Sequence, residues 1–192
     1  PALVNLGKEG GAPSRAVDLA PWVTPQGAQS STAQLMWNTQ QGFCTINTPR
    51  VQGVAAHFAS APIHQLKDVR FASGNTFGAA MAVSMDGLPL QQSRRILLQY
   101  ATQSRPTGWR ETPAAIALEG GQQTSGFTVQ AVGHSPWQVQ SAQLEVTINN
   151  PHIRTATVLD MNGMAVRTLD LKRASGSASL RFPADAMYVV LQ

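Results

Sequence analysis

Charge is what this chain has least of. Only 12% of its 192 residues are Asp, Glu, Lys or Arg, about half the share in an average soluble domain. Gln, Ser, Thr and Asn carry the polarity instead. Such a surface is neutral and rich in hydrogen-bonding groups, which suits a partner with many hydroxyls and little charge. Fourteen basic and ten acidic residues leave a net +4, and Arg94-Arg95 and Lys172-Arg173 are the only adjacent basic pairs. Nucleic-acid binding wants a clustered basic stripe, and none is present. A mild attraction for uronic-acid-bearing polymers is the most this charge supports. The chain has no run of 18 apolar residues, so no membrane span is expected.

Cysteine occurs once, as Cys44, which excludes an internal disulfide. Within the apolar run FCTI it is expected to be a buried small hydrophobe and not a nucleophile. His57, His64, His134 and His152 stand apart, with no H-x-x-x-H pair and no clustered cysteines, so no metal is expected. The G-x-S-x-G elbow, the Walker loop and the dinucleotide fingerprint are all missing, and no cofactor is expected. GNTFGAA at 74–80 has glycines at the wrong spacing. No leader is visible, but the chain starts at Pro1 without a methionine. It reads as an excised piece of a longer protein, so that absence says nothing about export.

What is present is β-strand pattern. The stretch 35–58, LMWNTQQGFCTINTPRVQGVAAHF, gives three short β-branched or aromatic segments punctuated by Gly and Pro, which argues strand and not helix. Further segments follow at 65–72, 78–85, 95–102, 114–118, 127–132 and 143–148. Asp86-Gly87 marks the turn between the second and third of these. The tail, 155–160, 165–171, 177–182 and 187–191, reads as an antiparallel meander, with Asn162-Gly163 suited to a type I′ turn. Residues 1–34, dense in Gly, Pro, Ala, Ser and Gln, read as a linker or a surface-laid segment anchored by Trp22. Residues 35–192 read as a single β-rich domain, long enough to bury a core.

Central positions near Ile46, Arg70, Leu97, Ile116 and Glu145 recur every 20 to 30 residues, roughly the range of solenoid repeats. Runs such as GAAMAV and RILLQ are apolar on both faces, as in strands buried on both sides. This favours an all-β fold: a right-handed parallel β-helix-like solenoid ending in the antiparallel meander. A β-sandwich explains the same strand count and is the alternative.

Glycoside hydrolysis needs two convergent carboxyl groups, and nothing in the order of Asp86, Glu111, Glu119, Glu145, Asp160 and Asp170 shows convergence. These acids read as solubilising groups. The four tryptophans, Trp22, Trp37, Trp109 and Trp137, all sit beside turn residues, where a flat indole can face solvent and stack on the apolar face of a sugar ring. Trp109, in SRPTGWRE, is the leading candidate, with Arg105, Arg110 and Glu111 placed to grip hydroxyls. Trp137 is second, and Trp37 and Tyr100 complete the candidate sugar-contact set. The alternative for any one Trp is a partly buried filler with its N–H bonded locally.

The segment QLMWNTQQGFCTINTPRVQGVAAHF resembles a module of bacterial glycoside hydrolases in which a strand ending in Trp precedes a turn and a TVDTPR-Q-like segment. VSMDGLPLQQSRRILLQYATQSRPTGW is similar to that module's SLDG-PL-x-x-S-x-R segment, and the tail from Thr155 is similar to its ending. The likeness covers roughly 34–110 and 140–192. Asn38 and Asn47 stand where acids are expected, and a Gln-rich insertion lies around 120–126.

The resemblance implies an accessory, carbohydrate-binding module of β-helical, xylan-binding type, non-catalytic and covalently linked to a catalytic domain. It implies a secreted, cell-surface or periplasmic bacterial setting, with polysaccharide (xylan or a related hemicellulose) as the partner. Two rivals remain: a structural domain that stabilises a neighbouring barrel without binding sugar, and a β-helical polysaccharide lyase or hydrolase.

Overall fold

The computed structural model describes Asp18 and residues 20–192. A 3-10 turn, Ala20–Trp22, leads into β1 (Val23–Thr24), β2 (Gly27–Gln29) and β3 (Leu35–Asn38). There follow β4 (Phe43–Asn47), β5 (Val51–Ala56), β6 (Ile63–Gln65), β7 (Val69–Ser73), β8 (Gly78–Ser84) and β9 (Ile96–Thr102). Then come β10 (Ser104–Thr107), β11 (Arg110–Ala117), β12 (Gln123–Ala131), β13 (His134–Val139) and β14 (Leu144–Ile148). The chain closes with β15 (Ala156–Leu159), β16 (Ala165–Leu169), β17 (Lys172–Ala174), β18 (Ser177–Arg181) and β19 (Tyr188–Leu191). Among the described residues no helix is long and apolar enough to cross a membrane.

A ten-stranded sheet runs β1-β2-β3-β4-β5-β8-β9-β19-β15-β16, and a five-stranded sheet runs β17-β18-β14-β7-β6. Every strand pair among the described residues is antiparallel. The expected parallel solenoid is therefore corrected. Its apparent period has another origin: Ile46 and Leu97 lie in the large sheet, Arg70 and Glu145 in the small one, and Ile116 in neither. The chain alternates between layers, and the recurrence is that alternation. Links of three or four residues, as between β3, β4 and β5, also cannot make a parallel crossover, which takes a dozen residues or more.

One core draws on both sheets. Val54, Ala80, Ile96, Leu98, Val158 and Val189 come from the large sheet; Val69, Phe71, Leu144, Val146, Ile148 and Leu180 come from the small one. Burial alternates strictly along β9 (Ile96, Leu98, Tyr100 inward) and β8 (Gly78, Ala80, Ala82 inward). The runs that looked apolar on both faces thus bury one face only. Small or flexible residues such as Ala79 and Met81 occupy the other. Each large inward side chain contributes about 1.5–3 kcal/mol of transfer free energy.

The tail is not one meander. β15 and β16 pair in the large sheet, β17 and β18 cross to the small one, and β19 returns between β9 and β15. The Asn162-Gly163 hairpin exists, but Gly163 alone carries positive φ (81°). Asp160 Oδ1 accepts the N–H groups of Asn162 and Met164, and the register shifts at Leu159. A longer Asx-closed loop with a bulge replaces the type I′ turn. Cys44 is exposed, again contrary to expectation, because alternation along β4 turns Thr45 inward instead. Of the segment 1–34, the described part adds β1 and β2 to the sheet edge beside β3; residues 1–17 and 19 lie outside the described residues.

The motifs behind the family resemblance are structural in this chain. Thr48 closes the Thr-Pro-Arg corner, its hydroxyl donating to Val51 O and accepting from Val51 N–H, each at 2.9 Å. Gln52, fully buried, accepts from the N–H groups of Asp68 and Val69 and donates to Asp68 Oδ2 at 2.7 Å. Asp86 accepts from Arg94 N–H, Ser84 Oγ and Leu88 N–H, which holds its carboxyl well below the usual carboxylate range and closes the loop over the buried Leu90. Asn38 and Asn47 each lend a side-chain oxygen to a backbone N–H, of Gln41 and Lys67 respectively. An amide fills that acceptor role as a carboxylate would.

Candidate functional site

Residues 104–139 leave the two-sheet body altogether. β10 pairs only with β13, and β11 only with β12, so the segment forms a two-stranded arm whose β11 portion alone is about 27 Å long. Its tip turns through Gly120 and Gly121, both at positive φ, and its elbow bends at Gly108 and Gly133. A Cβ on Gly133 would lie 2.3 Å from the Thr107 carbonyl oxygen. Only glycine permits that close approach.

The elbow holds three of the sequence-predicted residues, but facing one another. The Trp109 indole N–H donates to Glu111 Oε2 at 2.8 Å. The Arg105 guanidinium lies 5.0 Å from the Trp109 ring centroid, and its Nη2 is 4.0 Å from the same Glu111 oxygen. One indole face is covered by a cation, and the ring's single donor is spent. Arg110 is exposed beside them, paired across the ribbon with Ala131. This cluster stiffens the elbow and leaves little of itself for a ligand.

Trp137 is different. It is 64% exposed and sits opposite Pro106, one position from Arg105. Trp137 lies in the β10–β13 ladder, whereas Trp109 lies in the elbow between β10 and β11. Trp37 is also well exposed, at 57%, but lies on β3 near the far edge of the large sheet. Half-buried Trp22 lines a shallow edge cleft with Gln26, Gln29, Met36, Trp37 and Asn38.

Tyr100 is not a surface platform. It is 1% exposed, its hydroxyl donates to Asn75 Oδ1 at 3.0 Å, and it lies 2.7 Å from Ser73 Oγ. Burial pushes the phenol up from its ordinary value. A Cβ on Gly78 would lie 2.6 Å from that hydroxyl, so glycine makes the room. Tyr100, expected as a sugar contact, keeps its side chain in the core and borders, from within, the groove at the base of the arm.

Where the arm meets the body there is a groove of about 500 Å³, within the range of ligand pockets. Its walls bring together segments distant in sequence: Val139 at the arm's base, Asp160 and Met161 after β15, Arg167 in β16, and Asp185 and Met187 in the loop before β19. Arg167 Nη2 donates to Asp185 Oδ1 at 2.5 Å, and that contact, mostly hydrogen-bonding, holds the Asp185 carboxyl below its ordinary value. The loop carrying Asp185 is pinned by Ala142 N–H on Ala184 O at 3.0 Å. Asp160 Oδ1 is engaged by its own turn. Trp137 does not line the groove itself, but it is two residues from Val139 on β13, on the same face of that strand.

The sequence pointed to Trp137 but not to Asp160, Arg167 or Asp185 as partners. The Asn162-Gly163 turn signal gave no reason to bring them together. No protein-family model matches the chain, and no curated protein or solved structure is significantly similar to it.

Proposed function

We propose that this domain is a non-catalytic carbohydrate-binding module that holds a linked, secreted hydrolase on plant cell-wall polysaccharide, xylan or a related hemicellulose. The observation that carries it is the groove at the arm's base, where Val139, Met161 and Met187 lie among Asp160, Arg167 and Asp185, with the exposed Trp137 two residues from Val139 on β13. A pyranose has the matching character, an apolar ring face bordered by hydroxyls, and Trp137 supplies the rigid aromatic contact. Trp109 and its partners support the arm that presents the indole. The test is electrophoresis in gels containing soluble xylan. The wild-type chain is retarded and Trp137→Ala migrates as in a sugar-free gel; unchanged migration of the wild type at high polysaccharide defeats the proposal.

A second reading is favoured by the outer half of the arm. Pro113 faces Phe127, and Glu111 faces Val129, on one side of the ribbon. Phe127 is 60% exposed and Val129 is also exposed. An isolated two-stranded ribbon is marginal in water, so this apolar side suits a structural accessory domain that docks on a neighbouring catalytic barrel. Deleting 112–128 from the parent enzyme then lowers the barrel's melting temperature without altering retention by xylan gels.

A further inference from the structure

We infer that the groove selects neutral glycans and rejects uronic acids, with Arg167 and Asp185 as the specificity-determining pair; this rests on the carbohydrate-binding reading of the same groove. The chain as a whole is positive, at +4, and long-range attraction would draw acidic polymers to it. The groove itself is the opposite. Two carboxylates, Asp160 and Asp185, and a single guanidinium, Arg167, are the charged groups among its lining residues. An acidic sugar placed there adds a third carboxylate beside solvent-exposed side chains, 43% exposed for Arg167 and 68% for Asp185, where like-charge repulsion is screened by salt and is felt most at low ionic strength.

A neutral sugar fits the same groups without that cost. A hydroxyl both donates and accepts. Around the rim stand an acceptor, a donor and an acceptor: Asp160, the Arg167 guanidinium and Asp185. Only one N–H of Arg167 is given to Asp185 Oδ1, so a planar fork of donors remains on a side chain 43% exposed. Neighbouring hydroxyls on one ring edge can bond to the guanidinium and a carboxylate together. The ion pair prepositions the guanidinium for this. As a surface pair it contributes little stability of its own, so it can be altered without unfolding the domain.

The experiment is calorimetric titration of the full chain with xylohexaose and, separately, with an oligogalacturonide of similar length, at low ionic strength. Xylohexaose binds, and the acidic oligomer binds at least about tenfold more weakly, the scale of one charge-assisted hydrogen bond. Asp185→Asn removes one carboxylate and narrows the gap between the two; Arg167→Gln weakens xylohexaose and leaves the acidic oligomer weak. Equal affinity for the two oligomers, or a ratio unmoved by Asp185→Asn, overturns the inference while leaving the module reading intact. Binding of neither oligomer, nor of any neutral hemicellulose oligosaccharide, overturns both.

Discussion

The two-sheet body and the 104–139 arm are built on opposite terms. In the body, polar side chains are buried and spoken for: Gln52, Asn75 and Asn150 are each at most 2% exposed and bond to groups 16 to 68 residues away. In the arm, strands bond only to each other, and Phe127, Val132 and Trp137 are all at least 60% exposed. The body specifies a fold, while the arm and the groove at its base are free to specify a partner. Only the SRPTGW end of the family resemblance enters the arm, while the Thr-Pro-Arg corner with Gln52 and the Asp86 loop fall on the body's side of this division. They describe scaffolding, and carry no information about a ligand.

The largest expected contrast is in stability. Phe71→Ala empties a site 1% exposed in the core and costs about 3–5 kcal/mol, whereas Phe127→Ala on the arm changes stability by less than about 0.5 kcal/mol. Chemical denaturation measures both; comparable losses would mean that the arm packs on the body. Next is Gln52→Leu, which strands the N–H groups of Asp68 and Val69 and the Asp68 carboxylate, for a loss of about 2–4 kcal/mol. Gln130→Leu, which removes an exposed bond to Thr112, serves as the arm counterpart and is near neutral in the same assay.

A smaller effect depends on pH. His64 sits edge-on between Phe43 and Phe58, with ring centroids 4.8 and 5.5 Å away, and Nε2 has no partner among the described residues. Burial lowers its pKa below the ordinary 6.5. The unfolded chain therefore binds a proton there that the folded chain refuses, so stability falls as pH drops below about 6.5. Melting temperature declines from pH 7 to pH 5, and His64→Phe flattens that decline. Smallest of all, proteolytic nicking at the Gly120-Gly121 tip leaves the body's melting transition in place.

Much of the body was legible from residues alone. Strand after strand was marked by β-branched runs and turn residues, and Asp86-Gly87 does close a β8–β9 connection. Sheet membership was not legible, because the pairs that build the layers, β9 with β19 and β14 with β7, join segments tens of residues apart. Local pattern cannot distinguish a strand that continues a coil from one that crosses to the facing sheet. Cys44 was misplaced for a related reason: in a half-buried strand, one residue of register exchanges inside for outside. Exposed Trp137 could be picked by its turn context, whereas Trp109 looked identical in sequence and is occupied by Arg105 and Glu111. The groove was beyond reach, being assembled from residues 139, 160, 167 and 185.

The most direct measurement follows the four indole N–H signals of ¹⁵N-labelled protein in NMR spectra while xylohexaose is added. The account expects the Trp137 signal to move with saturation, while that of Trp109, held on Glu111, stays in place. Movement of Trp22 or Trp37 with Trp137 unmoved would put the sugar at the far edge of the large sheet and contradict it.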